Sequence, residues 1–188
     1  MNSAAQTDRF FTFWTKPSGK REESKRNKNI KTAILYLFIY VTTEKVALII
    51  GVKLEEKDAE LINLEKVQPS LDQYDRIIIG GSVYAGTVNK KLTSYCIENE
   101  TLLAQKQLGL FVCGMEPDPD KQQTELETAF PKSLQGKAKA TGFMGGEFIL
   151  EKMNFMERFI VKKIAHTKVS SSNIHEETIN LFVEKLKE

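Results

Sequence analysis

From Lys31 onward, apolar positions alternate between short continuous runs and helical spacing, so strands and helices are expected to take turns along the chain. Thr32 to Tyr36 reads as a buried strand, and Thr43 to Leu54 as a helix with Val46, Ile49, Ile50 and Leu54 on its apolar face. Ala59 to Leu64 alternates as a short strand, the Pro69 region is a loop, and Arg76 to Ile79 is a strand covered on both faces. Val88, Leu92, Tyr95, Cys96 and Leu103 recur at helical spacing, which makes Cys96 a core residue. Leu108 to Cys113 is again a strand, and Asp118 and Pro119 then supply the cap and first turn of a helix that buries Leu126, Ala129 and Phe130. A last strand is expected within Ala138 to Phe148, around Gly142, Gly145 and Gly146. The final helix is expected to begin near Asn173, with Asn173 and Glu176 as a capping pair and Ile179, Phe182, Val183 and Leu186 toward the core. Strands separated by helices of this length imply crossover units and a doubly wound α/β fold. Its parallel sheet would have about five strands, with helices on both faces.

The segment IIIGGSVYAG, Ile77 to Gly86, is the most informative local feature. Ile77, Ile78 and Ile79 deliver a buried strand to Gly80, Gly81, Ser82 and Gly86, where the backbone is expected to turn sharply and approach a flat ligand. Three strand-to-helix connections, Leu37 to Thr43, Gly80 to Thr87 and Cys113 to Asp118, should share one edge of the sheet and enclose a single ligand. The first opens a helix whose backbone amides suit a phosphate, with the Thr42 and Thr43 hydroxyls as further donors. Taken alone, threonines at a helix start also serve as ordinary caps.

Composition narrows the function classes. A length of 188 residues with 41% hydrophobic residues suits one domain with a sizeable core. Lys and Arg number 27 against 25 Asp and Glu, so charge gives no argument for nucleic acid. Two cysteines, Cys96 and Cys113, make neither a disulfide framework nor a metal-ligand pattern, which fits a reducing, cytoplasmic setting. Residues 1–30 are polar apart from the aromatic patch Phe10 to Trp14 and read as a disordered arm preceding a domain at 31–188. The segment Phe148 to Ala165 carries Ile149, Met153, Met156, Ile160 and Ile164 at helical spacing beside Lys152, Arg158, Lys162 and Lys163. It reads as a basic amphipathic helix, which serves either a membrane surface or the cover of a sheet edge. His166 and His175 have no partner pattern and are expected at the surface.

The strand KTAILY leading into YVTTEK, the segment IIIGGSVYAG, the strand GLFVCGM and the stretch GFMGGEFILEKMNFMERFIVKKIA together resemble the flavodoxins. Within them the resemblance is to the branch that includes the menaquinone-dependent protoporphyrinogen oxidases. It implies a flavodoxin-like sheet carrying FMN at its strand C-terminal edge. By this likeness Ser82, Val83, Tyr84, Ala85 and Gly86 would line the flavin ring, with Cys113, Gly114 and Met115 on its other side. Thr42 and Thr43, with Tyr40 beside them, would hold the phosphate. The resemblance further implies an electron-transfer or oxidoreductase role linked to heme biosynthesis, with a redox partner protein and a quinone or porphyrinogen substrate. Residues 148–165 would then make peripheral contact with the inner face of the membrane. The family's phosphate loop places a hydroxyl residue, two others, a glycine, another residue and a threonine, where this chain has Phe38, Ile39, Tyr40, Val41, Thr42 and Thr43. Phe38 brings no hydroxyl and Val41 no glycine, so FMN affinity is expected to be reduced. The alternative reading is a flavin-free interaction module with a degenerate phosphate loop.

Overall fold

The computed structural model describes residues 30–37, 41–56, 59–84, 86–148 and 170–188. The N-terminal arm before Ile30, Phe38, Ile39, Tyr40, Ala85, the basic segment from Ile149 to Ala165, and His166 lie outside the described residues. Chain order runs β1 (Thr32–Leu37), α1 (Val41–Leu54), β2 (Glu60–Asn63), β3 (Arg76–Tyr84) and β4 (Thr87–Val88). It continues through α2 (Lys90–Glu98), α3 (Glu100–Leu103), β5 (Gln107–Cys113), α4 (Pro119–Ala129) and α5 (Lys132–Gln135). Last come β6 (Ala140–Phe143), β7 (Gly145–Phe148), β8 (Ser171–Ile174) and α6 (Glu176–Lys187).

Five of these strands form a parallel sheet in the order β2-β1-β3-β5-β6. After β1 the chain moves outward to β2 and then returns to β3 on the other side, so the strand order reverses between β1 and β3. Alternation along each strand divides the core in two. Leu35, Ile77, Ile79, Leu110 and Val112 pack against Leu92, Cys96, Leu126 and Leu134 of α2, α4 and α5. On the opposite face, Ile34, Ile78 and Phe111 meet Val46 and Ile50 of α1 and Ile179, Phe182 and Leu186 of α6. The expected α/β architecture with helices on both faces is therefore the one observed, including the buried positions read for the last helix.

Local sequence chemistry explains several element ends. The Asp118 side chain accepts hydrogen bonds from the backbone N–H groups of Asp120 and Lys121, with Pro119 opening α4, as the sequence predicts. Five expectations change. The helix after β1 starts at Val41, two residues earlier than expected, so Thr42 and Thr43 lie within its first turn. Val41 has ordinary helical backbone there, and no positive φ is required of it.

The strand expected to stop at Ile79 runs on to Tyr84. Gly80 and Gly81 are strand residues, and their lack of a Cβ serves packing: a Cβ on Gly80 would lie 1.9 Å from Phe111 Cζ, and one on Gly81 2.5 Å from Leu92 Cδ2. The last expected strand is two strands: β6 completes the parallel sheet, and β7 leaves it to pair antiparallel with β8. Asn173 belongs to β8, opposite Gly146, so α6 begins at Glu176 without the expected capping pair. His175 is half-buried rather than at the surface; its Nδ1 lies 3.3 Å from the Phe143 carbonyl and its ring is tilted against that of Phe143.

Candidate functional site

Parallel register brings the three predicted chain segments to one edge. Leu37, the end of β1, pairs with Gly81, and Gly81 in turn pairs with Val112. Ser82 is the neighbour of Cys113 at the end of β5. The crevice next to the β1/β3 reversal, outside the carboxyl ends of the strands, is where an open sheet of this kind takes a ligand.

Beyond Ser82, β3 leaves the parallel sheet and turns back on itself. Val83 pairs with Val88 and Tyr84 with Thr87, and the Thr87 hydroxyl donates to the Tyr84 carbonyl at 3.1 Å. Gly86, just before Thr87, stands at φ 75°, the conformation that favours glycine, and a Cβ there would find no atom within 4 Å. Val83 and Tyr84 are half-buried and Gly86 is exposed, so this turn presents open backbone at the edge. Across from it, Gly114 and Met115 continue β5 and are partly exposed. A Cβ on Gly114 would stand 2.9 Å from Phe143 Cζ and 3.5 Å from Glu125 Oε2, so only glycine fits between them. Burial, with the neighbouring Glu116 charge, raises the Glu125 carboxyl above its ordinary value, and its Oε2 has no hydrogen-bond partner.

Cys113 is buried, and desolvation pushes its thiol up to about 12, so it stays neutral at the edge. Cys96 is pushed to about 12 by the same cause, consistent with the core role read from its spacing. Neither thiol is poised as a nucleophile.

The first turn of α1 is the polar part of the edge. Thr43 is fully buried, faces the Cys113 thiol without completing a hydrogen bond, and leaves its hydroxyl without a partner. Thr42 donates its hydroxyl to the backbone carbonyl of Glu147 at 3.2 Å. Lys45, one turn further along the helix, pairs with Glu147 Oε2 at 2.8 Å, and Ser172 Oγ donates to the same oxygen at 3.2 Å. The other carboxylate oxygen of Glu147 is buried without a partner.

Glu147 reaches α1 because β7 crosses the edge. The Gly114 N–H donates to the Gly145 carbonyl at 3.1 Å, and a Cβ on Gly146 would lie 2.8 Å from the Gly114 carbonyl oxygen. Two small residues thus lay the ribbon directly on the end of β5, and the next residue arrives beside α1. Glu147, Lys45 and Ser172 were not found by sequence reasoning. The available signal was a lone acid after two glycines in the otherwise apolar run GFMGGEFI.

The residues present fit a flavin unevenly. On the ring side the Gly86 turn offers open backbone, whereas the space beside Gly114 is filled by Phe143 and Glu125 and its backbone is covered by Gly145 and Gly146. At the phosphate end, the orphaned Thr43 hydroxyl at the start of a 14-residue helix suits an acceptor, whereas Thr42 and Lys45 are already engaged. Among the described residues there is no cluster of His, Cys, Asp and Glu suited to a metal ion, and no helix long and apolar enough to cross a membrane.

Sheet order, layering and edge define an open, doubly wound α/β protein of the kind that binds a ligand at the strand-order reversal. The flavodoxin domain family matches over residues 33–174, and the chain belongs to that family. Similar solved structures include a flavoprotein from Lactobacillus acidophilus in complex with FMN, at 17% identity. That match covers 62% of this chain and 91% of the other with a TM-score of 0.44. Oxidised flavodoxin 1 from Bacillus cereus matches at 17% identity, 83% and 97% coverage and a TM-score of 0.48. A flavodiiron core from Synechocystis matches at 13% identity and a TM-score of 0.48 over 86% of this chain, which spans only 37% of that one. No curated protein matches the sequence.

Proposed function

We propose that the chain is an FMN-binding redox protein of flavodoxin type, acting in electron transfer or as an oxidoreductase. The observation that carries this reading is the single edge where β1, β3 and β5 end together, with the open Gly86 turn and the orphaned Thr43 hydroxyl around the strand-order reversal. Family membership supports it. Ser82, Val83, Tyr84, Ala85 and Gly86 would hold one side of the ring, and Cys113, Gly114 and Met115 the other. The start of α1, with Thr43 and the neighbouring Tyr40 and Thr42, would take the phosphate. When bound, the flavin supplies one- and two-electron chemistry; the protein supplies binding, orientation and shielding from water. Cys113, kept as a neutral thiol, leaves the ring side free of a competing nucleophile.

In this reading the protein works with a redox partner. The resemblance to the protoporphyrinogen oxidase branch and the basic, apolar composition of 148–165 support a quinone or porphyrinogen substrate met at the inner face of the membrane. Titrating the purified protein with FMN should quench flavin fluorescence saturably with one site per chain. Absence of saturable quenching by either FMN or riboflavin would hand the reading to the flavin-free interaction module, which the engagement of Thr42 and Lys45 by Glu147 favours.

A mutation at the turn tests the ring side. In Gly86→Val the side chain starts in open space, so the protein itself should lose only about 1–2 kcal/mol from left-handed backbone strain. FMN should bind at least about tenfold more weakly, because the new bulk meets the ligand. An affinity equal to that of the unmodified protein would move the ring elsewhere.

A further inference from the structure

We propose that Glu147 sets the preference of this site between phosphate-bearing and phosphate-free flavins, by acting as a resident carboxylate at the anion end of α1. The inference rests on the flavin reading above and assigns a role to a residue outside the predicted site.

Among the described residues, three side chains near the start of α1 could serve an anion: the hydroxyls of Thr42 and Thr43 and the ammonium of Lys45. Glu147 takes two of them, Thr42 through its backbone carbonyl at 3.2 Å and Lys45 through its carboxylate at 2.8 Å. Its side chain is only 4% exposed, whereas Lys45 remains 47% exposed. The carboxylate is therefore the buried partner and the lysine the half-exposed one. Glu147 Oε1 and Thr43 Oγ1 are both buried and unpartnered, and each marks unfinished polar chemistry beside the same helix turn.

A phosphate entering here would meet a helix dipole that favours it and a buried carboxylate that opposes it. It would also find Thr42 and Lys45 committed. A ligand without the phosphate escapes both penalties, since the proposed ring contacts would be made at the β3 and β5 ends. Ser172, the cross-strand partner of Glu147, holds the carboxylate in place from β8.

The test is a fluorescence titration of the full chain with FMN and with riboflavin, comparing the unmodified protein with Glu147→Gln and Glu147→Asp. Glutamine keeps the shape and removes the charge, so FMN should bind about tenfold or more tightly while riboflavin changes by less than about twofold. Aspartate keeps the charge and should retain the original preference. An FMN-to-riboflavin ratio unchanged in Glu147→Gln would overturn the proposal and leave the flavin reading standing. So would an equal shift in Glu147→Asp, which would mark the effect as structural. Failure of all three proteins to bind either flavin would instead remove the functional reading, and this inference with it.

Discussion

Arg76→Ala is expected to lower the free energy of unfolding by about 3 kcal/mol, because it empties a buried position and leaves the part-buried Glu56 carboxylate without its cation. Arg76 opens β3 at the sheet edge opposite the candidate site and is 2% exposed. Its guanidinium pairs with Glu56, donates from Nε to Gln107 Oε1 at 3.1 Å and from Nη2 to the Leu186 carbonyl at 2.8 Å. Thr32 donates to the other oxygen of Glu56. One side chain thus joins the starts of β3 and β5, the exit from α1 and the last turn of α6, while Glu56 extends the network to β1. With about 1–3 kcal/mol per molar urea for a protein of this size, the unfolding midpoint should fall by about 2 M. A midpoint shift below about 0.5 M would show that the pair is solvated and dispensable. Arg76→Met, which fills the space but also leaves Glu56 unpaired, should recover only the packing part of the loss.

That network also shows why some of the molecule was legible in the sequence and some was not. Asp118 and Pro119 were readable because a helix cap is made within four residues. The isoleucine run was readable because a strand buried on both faces needs only apolar neighbours, whichever they are. The common edge of the three connections followed from parallel topology, without knowledge of any contact. Arg76 was read into the isoleucine strand, but nothing local announced how its guanidinium would be satisfied there. Its burial depends on Glu56, Gln107 and Leu186, which are 20, 31 and 110 residues away.

Glu147 was hidden for the same reason. Its partners Thr42 and Lys45 lie 105 and 102 positions earlier. Asn173 carried a sound capping signal, but strand pairing with Gly146 took it first. Local chemistry proposes an end, and a distant strand can claim the residue before that end forms.

Gly80 carries the second large effect and the same lesson. Sequence reading assigned it to a turn, since a glycine needed for its φ and one needed for a neighbour's side chain look alike. Gly80→Ala is expected to cost about 3 kcal/mol, at the upper end for overpacking, because the new Cβ would stand 1.9, 2.2 and 2.4 Å from three Phe111 ring carbons. The ring has little room to retreat. Phe182 closes it edge-on, with centroids 6.3 Å apart and planes at 79°, and Phe182 is itself seated over Gly109, where a Cβ would come within 2.9 Å. Phe111→Leu alone should also destabilise by creating a void. In the double mutant the smaller side chain vacates space for the new Cβ, so the two losses should fall short of their sum by at least about 1 kcal/mol. Urea unfolding of the four proteins measures this coupling, and strict additivity would mean that the alanine is accommodated by backbone movement. Gly80 pairs with Phe111 two positions before Ser82 meets Cys113, so any spreading of β3 from β5 reaches the candidate ring site directly. FMN affinity should therefore fall in Gly80→Ala and recover in the double mutant along with stability.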